Sequence, residues 1–180
     1  MLKKILAVLI VGIAAFAGYV ALQPDELVIQ RKETVAAAPD KVFGEVNELR
    51  KWDAWSPWAK IDPAAKIGFE GPAAGKDAVF TWSGNDQIGQ GRMTIVDSRP
   101  SELVDINVAF TKPFENTSSS KFEFKPDANQ TVVTWTMSGK QNFLEKAMCI
   151  VFNGKKMLGG EMEKGLANLK AVAEGGATTP

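Results

Sequence analysis

The 180-residue chain contains no histidine, a single cysteine (Cys149) and a single tyrosine (Tyr19). Ser-His-Asp triads, Cys-His pairs, HExxH zinc sites and cysteine-rich metal clusters therefore cannot be assembled from it. One cysteine forms no internal disulfide, so cysteine usage does not report the redox compartment. An excess of one charge is also missing: Lys+Arg and Asp+Glu both number 21, and no basic run is interleaved with aromatics. The electrostatic footprint of nucleic-acid binding is absent, and nothing in the inventory calls for a metal or an organic cofactor. What is present is 45% hydrophobic and 23% charged, the proportions of an ordinary globular chain long enough for one domain and a little more.

The surplus lies at the N-terminus. Met1-Leu2-Lys3-Lys4 precedes an uncharged run over 5–22, and 18 residues in a helix span about 27 Å, close to the hydrocarbon thickness of a bilayer. Two alternatives stand, a cleaved signal peptide and an uncleaved anchor. Ala15-Phe16-Ala17 offers an A-x-A cleavage pattern, but the apolar run continues through Gly18-Tyr19-Val20-Ala21-Leu22, which favours retention as a single transmembrane helix over 1–22. With Lys3 and Lys4 cytoplasmic, the rest of the chain is expected outside, periplasmic or extracellular. Setting those two lysines aside, 19 basic residues face 21 acidic ones, so the exported part has no overall positive charge to draw it onto an anionic lipid surface.

After a short linker over 23–26, residues 27–35 read as a strand. Ala38-Pro39-Asp40 starts a helix, with proline at its first position, an acid in its first turn, and Val42, Phe43, Val46 and Leu49 at helical spacing. Trp52, Trp55 and Trp58 follow in a loop that breaks this period. Six strand-like segments come next, over 66–70, 78–83, 88–96, 102–110, 118–125 and 131–138, each closed by turn chemistry such as Gly71-Pro72, Gly84-Asn85-Asp86 or Pro126-Asp127. Short connections make this an antiparallel meander. Phe80, Trp82, Met93, Ile95, Val104, Ile106, Val108, Phe110, Phe122, Phe124, Val133, Trp135 and Met137 share one side of the pleat, and Thr81, Arg92, Asp105, Lys121, Glu123 and Thr134 the other, so one face is buried and the other wet. The C-terminal stretch supplies the cover. Asn142 caps a helix with Glu145 at its third position, followed by Ala147, Met148, Val151 and Phe152. After Gly159-Gly160 a long amphipathic helix carries Met162, Leu166, Leu169 and Val172 and stops at Gly175-Gly176. The expectation is an α+β domain over 27–174, in which a curved antiparallel sheet of about seven strands wraps a long C-terminal helix, with a flexible tail over 175–180.

This order of elements, together with Ala38-Pro39 and Val42-Phe43, Trp55-Ser56-Pro57-Trp58, Gly71-Pro72 with Gly75, Trp82-Ser83-Gly84-Asn85, Gly89 and Gly91 around Gln90, the strand 131–135 and Gly165-Leu166-Ala167-Asn168-Leu169-Lys170, resembles the START-like, or Bet v 1-like, superfamily. Within it the chain is similar to bacterial SRPBCC proteins of the polyketide cyclase/dehydratase and lipid-transport type. The resemblance implies a helix-grip fold. It implies no single function, because that fold hosts carriers, receptors, cyclases and chaperone regulators, and it carries no catalytic residue pattern onto this chain.

The residues that could carry chemistry are few. Glu70, Asp86 and Asp105 read as turn or solvent-facing acids without a carboxylate partner. Cys149 sits in an apolar helical stretch and reads as a small hydrophobe. Gly84, Gly89 and Gly91 belong to a hairpin, where they serve turns and bulges. Met93, Met137, Met148, Met157 and Met162 fall in segments expected to enclose the interior. The leading expectation is a membrane-tethered domain that binds a hydrophobic small molecule or lipid between sheet and C-terminal helix. Its candidate ligand-binding residues are Phe80, Trp82, Met93, Phe110, Phe124, Trp135, Met137, Met162 and Leu166. The alternatives are a cyclase/dehydratase-like enzyme on an apolar substrate, against which the poverty of catalytic groups weighs, and an interaction module of a membrane complex with a filled core.

Overall fold

The computed structural model describes residues 1–176. Residues 177–180 of the expected tail lie outside them. The uncharged N-terminal run forms helix α1 (Leu2–Ala21), exposed along nearly its whole length and buried only at Val20. It is long and apolar enough to cross a membrane, and a signal sequence meets the same description.

Strand β1 (Glu26–Val35) leads to α2 (Pro39–Asn47), which has proline in its first turn and buries Val42 and Val46. A 3₁₀ turn, Leu49–Ala54, ends at Trp55. Then come β2 (Lys66–Glu70), β3 (Val79–Ser83), β4 (Gln90–Arg99), β5 (Leu103–Lys112), β6 (Asn116–Asp127) and β7 (Gln130–Lys140). These six form the antiparallel meander expected from their alternation, and β1 returns to pair with β7, giving the order β1-β7-β6-β5-β4-β3-β2. Helices α3 (Phe143–Val151) and α4 (Gly154–Glu174) follow. The sheet curves around α4 in an α+β helix-grip fold.

The core is concentrated at one end of this grip. Val104 of β5, Phe122 of β6 and Trp135 of β7 lie side by side in the register. They are fully buried together with Trp55, Met162, Leu166 and Leu169. Trp135 stacks on Phe122 with centroids 4.7 Å apart, and Trp55 meets both rings edge-on. The helix and the edge strand are tied by Arg31–Glu163 and Lys170–Glu33 ion pairs and by Glu174, which accepts from the Ala36 N–H. The hydrogen bond to Glu33 raises the Lys170 pKa above its ordinary value.

Two expectations about the cover are corrected. The long helix does not begin after Gly159-Gly160 but at Gly154, after a left-handed break at Asn153 (φ 53°), and it runs straight through both glycines. Gly159 is a seat for a side chain: a Cβ there would overlap the Arg31 guanidinium. Nor do Met148, Val151 and Phe152 pack on the sheet. They are exposed, as is Met157, so of the five methionines expected to enclose the interior only Met93, Met137 and Met162 do so.

Glycine positions in α4 separate propensity from packing. A Cβ on Gly160 meets nothing within 4 Å, whereas one on Gly165 would lie 2.9 Å from the Trp135 ring and 3.0 Å from Pro57. Gly160→Ala is expected to raise stability by about 0.5–1 kcal/mol through helix propensity. Gly165→Ala is expected to lower it by about 1–3 kcal/mol, because neither ring system can yield. Urea denaturation of both variants checks the opposite signs.

The junction between α1 and the domain is polar and specific. Lys146 of α3, itself buried, donates to the Gln23 carbonyl at 2.8 Å and to the Asp25 carboxylate, and the Gln141 N–H donates to the Asp25 carbonyl. The bond from Lys146, and then its charge, hold the exposed Asp25 carboxyl below its ordinary value of 3.8. A carboxylate lowered in this way contributes stability above its unfolded pKa and loses that contribution as pH falls through the folded value. By NMR titration Asp25 should therefore protonate below 3.8, and Lys146→Met should return it toward the ordinary value; no change on that substitution would remove Lys146 as the cause.

Candidate functional site

The opposite end of the grip is hollow, and the inward positions of β6 and β7 explain why. Going along β6 from its start they read Asn116, Ser118, Ser120, Phe122, Phe124, and along β7 toward its end Val133, Trp135, Met137, Gly139. Ser118 pairs with Gly139 and Ser120 with Met137, whereas Phe122 pairs with Trp135 and Phe124 with Val133. Large side chains fill the far end, and small ones leave the near end unfilled. Interiors pack to crystal-like density, so a run of small inward side chains opposite one another must open a void unless another element enters it. Here α4 sends in only Leu158 at this level, and a cavity of about 1020 Å³ results, at the upper limit of the roughly 300–1,000 Å³ common for small-molecule pockets.

The cavity wall is aromatic and aliphatic. Trp82 lies across Gly91, where a Cβ would come within 2.6 Å of the indole, and meets Phe110 edge-on at 5.3 Å. Phe80 stacks beside Trp82 and contacts Phe69. Indole N–H groups are turned to the protein, Trp82 donating to the Ile88 carbonyl, Trp52 to Val46, Trp55 to Glu45 and Trp135 to the Ser120 hydroxyl. Their apolar faces are thereby left free of unpaired donors. No buried side-chain nitrogen or oxygen lacks a partner among the described residues.

The polar fringe comes from Arg50, Asp53, Ser56 and the loop 59–65 with Gln87, and from Asn116, Lys140, Gln141 and Glu145. The latter group belongs to the end of the sheet at which β1 begins and β7 finishes. Two of the three acids at the fringe are occupied structurally, and the third, Asp53, is exposed to solvent. Asp62 accepts from the Ala64 and Asn85 N–H groups, and Glu145 accepts from Asn142 in a reciprocal cap and from Asn116. The acids compared at the outset lie elsewhere: Glu70 faces Arg92 on the outer surface, Asp105 accepts from Ser119, and Asp86 is exposed in a turn. Among the described residues no cluster of His, Cys, Asp and Glu has the arrangement of a metal site.

A family model for polyketide cyclase / dehydrase and lipid transport matches residues 26–174. The chain belongs to this family. Solved structures with the same fold include the Aha1 dimer from Colwellia psychrerythraea (16% identity, 82% of this chain and 96% of that one, TM-score 0.59). TTHA0849 from Thermus thermophilus (12%, 82% and 97%, 0.57) and Ara h 8.0201 (12%, 80% and 97%, 0.55) share it as well. At these identities the likeness is one of fold. No curated protein matches the chain.

Of the nine residues proposed from the sequence, Phe80, Trp82, Met93, Phe110, Trp135 and Met137 line the cavity. Phe124, Met162 and Leu166 do not reach it. Phe124 packs edge-on against Phe43 at the filled end, and Met162 and Leu166 lie in the core under α4. They share the inward alternation of the others, but the cavity ends before their level. Leu27, Trp58, Ile67, Ile88, Val108, Ser118 and Ser120 also line it. The alternation already places Val108 inward, and the inward succession Ser118, Ser120 on β6, with Ser118 facing Gly139, is the sequence signal for where the space would be.

Proposed function

We propose that this domain holds one hydrophobic or amphipathic small molecule, of the size of a lipid chain, in the cavity between the sheet and α4, and that α1 tethers it to a membrane with Lys3 and Lys4 on the cytoplasmic side and the domain outside. The observation that carries this is the set of small inward residues Ser118, Ser120 and Gly139, with Ser118 and Gly139 directly paired, beside an otherwise aromatic and aliphatic wall. An apolar tail fits among Phe80, Trp82, Met93, Phe110 and Met137, and a polar head fits at the fringe of Asn116, Lys140 and Gln141. Membership in a family described by polyketide cyclisation and lipid transport supports an apolar occupant. Binding and shielding are favoured over catalysis because, of the three acids at the fringe, Asp62 and Glu145 already accept backbone or amide hydrogen bonds and Asp53 is exposed to solvent, outside the apolar wall. A general acid or base needs a free path to the proton it moves. The orientation follows the positive-inside tendency acting on the two lysines at the start of α1.

Native mass spectrometry of the full chain, released from nanodiscs after exposure to long-chain fatty acids, tests the binding claim. One molecule retained per chain supports it; a chain that stays ligand-free across fatty acids of different length overturns it.

A further inference from the structure

Helix α3 turns its apolar side outward. Phe143, Leu144, Met148, Val151 and Phe152 are 44–64% exposed, and Met157 in the first turn of α4 extends the same surface at 68%. Leu144, Met148, Val151 and Phe152 recur at i, i+4, i+7 and i+8, a single helical stripe. Elsewhere on the domain large exposed apolar side chains are scattered, which is ordinary for a soluble surface. Six of them gathered within the segment 143–157 are not.

Resting on the reading of α1 as a membrane span, we propose that α3 lies in the interface of the bilayer that α1 crosses, with this stripe set into the lipid. The position of α3 in the fold decides for lipid over another occupant. It packs against α1, and Lys146, on the face opposite the stripe, is bonded to Gln23 and Asp25, the first polar residues after the span. If α1 is embedded, those residues sit at the boundary between hydrocarbon and headgroups, and α3 is held at their depth. An exposed apolar stripe at that depth is an interfacial helix, whose apolar face sinks about 5–10 Å into the headgroup and acyl boundary. Exposed Lys155 and Lys156, just beyond the stripe, suit the phosphates there, although the domain as a whole carries no positive excess. The same placement turns the hollow end of the grip to the membrane, since Lys140, Gln141 and Glu145 belong both to the cavity fringe and to the segment that enters α3. A ligand would then pass between bilayer and cavity without crossing bulk water.

Site-directed spin labelling of the full chain in phosphatidylcholine–phosphatidylglycerol vesicles tests this. On a Cys149→Ser background, labels are placed through Ile10→Cys in α1, Val151→Cys in α3 and Asp86→Cys in the exposed β3–β4 turn, and relaxation by oxygen is compared with relaxation by a water-soluble nickel chelate. The expected result is an oxygen-to-nickel ratio several-fold higher at both 10 and 151 than at 86, with Leu144→Cys repeating the result for 151 from the first turn of α3. Lipid values at 10 with water values at 151 and 144 would overturn the proposal and leave the anchor standing. Water values at 10 would remove the anchor and the proposal together. Protection of 151 from both reagents, with spin–spin broadening between chains, would replace lipid by a second copy and overturn it.

Discussion

Replacing Trp135 by alanine is expected to destabilise the domain by about 3–5 kcal/mol, the range for removing a large aromatic from a packed core. The indole is fully buried, stacked on Phe122 at 4.7 Å and met edge-on by Trp55 and Trp58, and its N–H donates to Ser120. It also forms part of the cavity wall. A residue bordering an open cavity would ordinarily lose less than one in a filled core, because it has fewer partners on one side. Trp135 has partners on the sides away from the cavity, and α4 passes so close that a Cβ on Gly165 would come within 2.9 Å of its ring, so the larger figure applies. The substitution therefore reports packing at the waist between the filled and hollow halves, whether or not the cavity is occupied. Urea unfolding is the measurement, and a loss well short of the roughly 3 kcal/mol lower bound would contradict the packing described.

The second large effect is on binding alone. Ser118→Phe places a ring in the hollow half, opposite Gly139, where an inward side chain finds open cavity in place of packed neighbours. Affinity for a fatty acid is expected to fall at least about tenfold, equivalent to about 1.4 kcal/mol, because ring and ligand compete for one volume. Stability should stay close to that of the parent chain or rise, since apolar surface is added to an apolar void. The outer-face neighbour Ser119, which donates to Asp105, provides the contrast: Ser119→Phe leaves the cavity untouched and should leave affinity unchanged. Equal losses from both substitutions would indicate general damage.

The architecture is legible because most strands alternate cleanly, β4 alone shifting register against β5 near Gly91 and Val96, and because their turns are marked by Gly, Pro, Asn and Asp; even the cap at Asn142 with Glu145 is readable. What periodicity does not encode is what lies opposite a face. Phe110 and Phe124 follow the same rule, yet one borders a void and the other an aromatic partner, because α4 descends onto the sheet only at the far end. The same blindness applies to α3. Its apolar stripe matches a core-facing helix residue for residue, and only the packing of α1 and Lys146 on its other side shows that it points away from the sheet. Gly159-Gly160 reads as punctuation in the sequence because the arginine seated on Gly159 comes from β1, far earlier in the chain and beyond any local window.

The hollow half takes up an apolar molecule in the function proposed above. This uptake is tested most directly with a fatty acid brominated along its chain, since bromine quenches indole emission only at close range and Trp82 and Trp58 border the cavity. A chain beginning at Gln23 avoids competing uptake by detergent; α1 contributes one buried residue, Val20, so the sheet, α4 and cavity are retained. Titration of this domain should quench its tryptophan emission saturably at one ligand per chain, and Ser118→Phe should move the curve to at least about tenfold higher concentration. Quenching that rises without saturation, and equally in the parent and Ser118→Phe domains, would contradict a ligand cavity at this end of the grip.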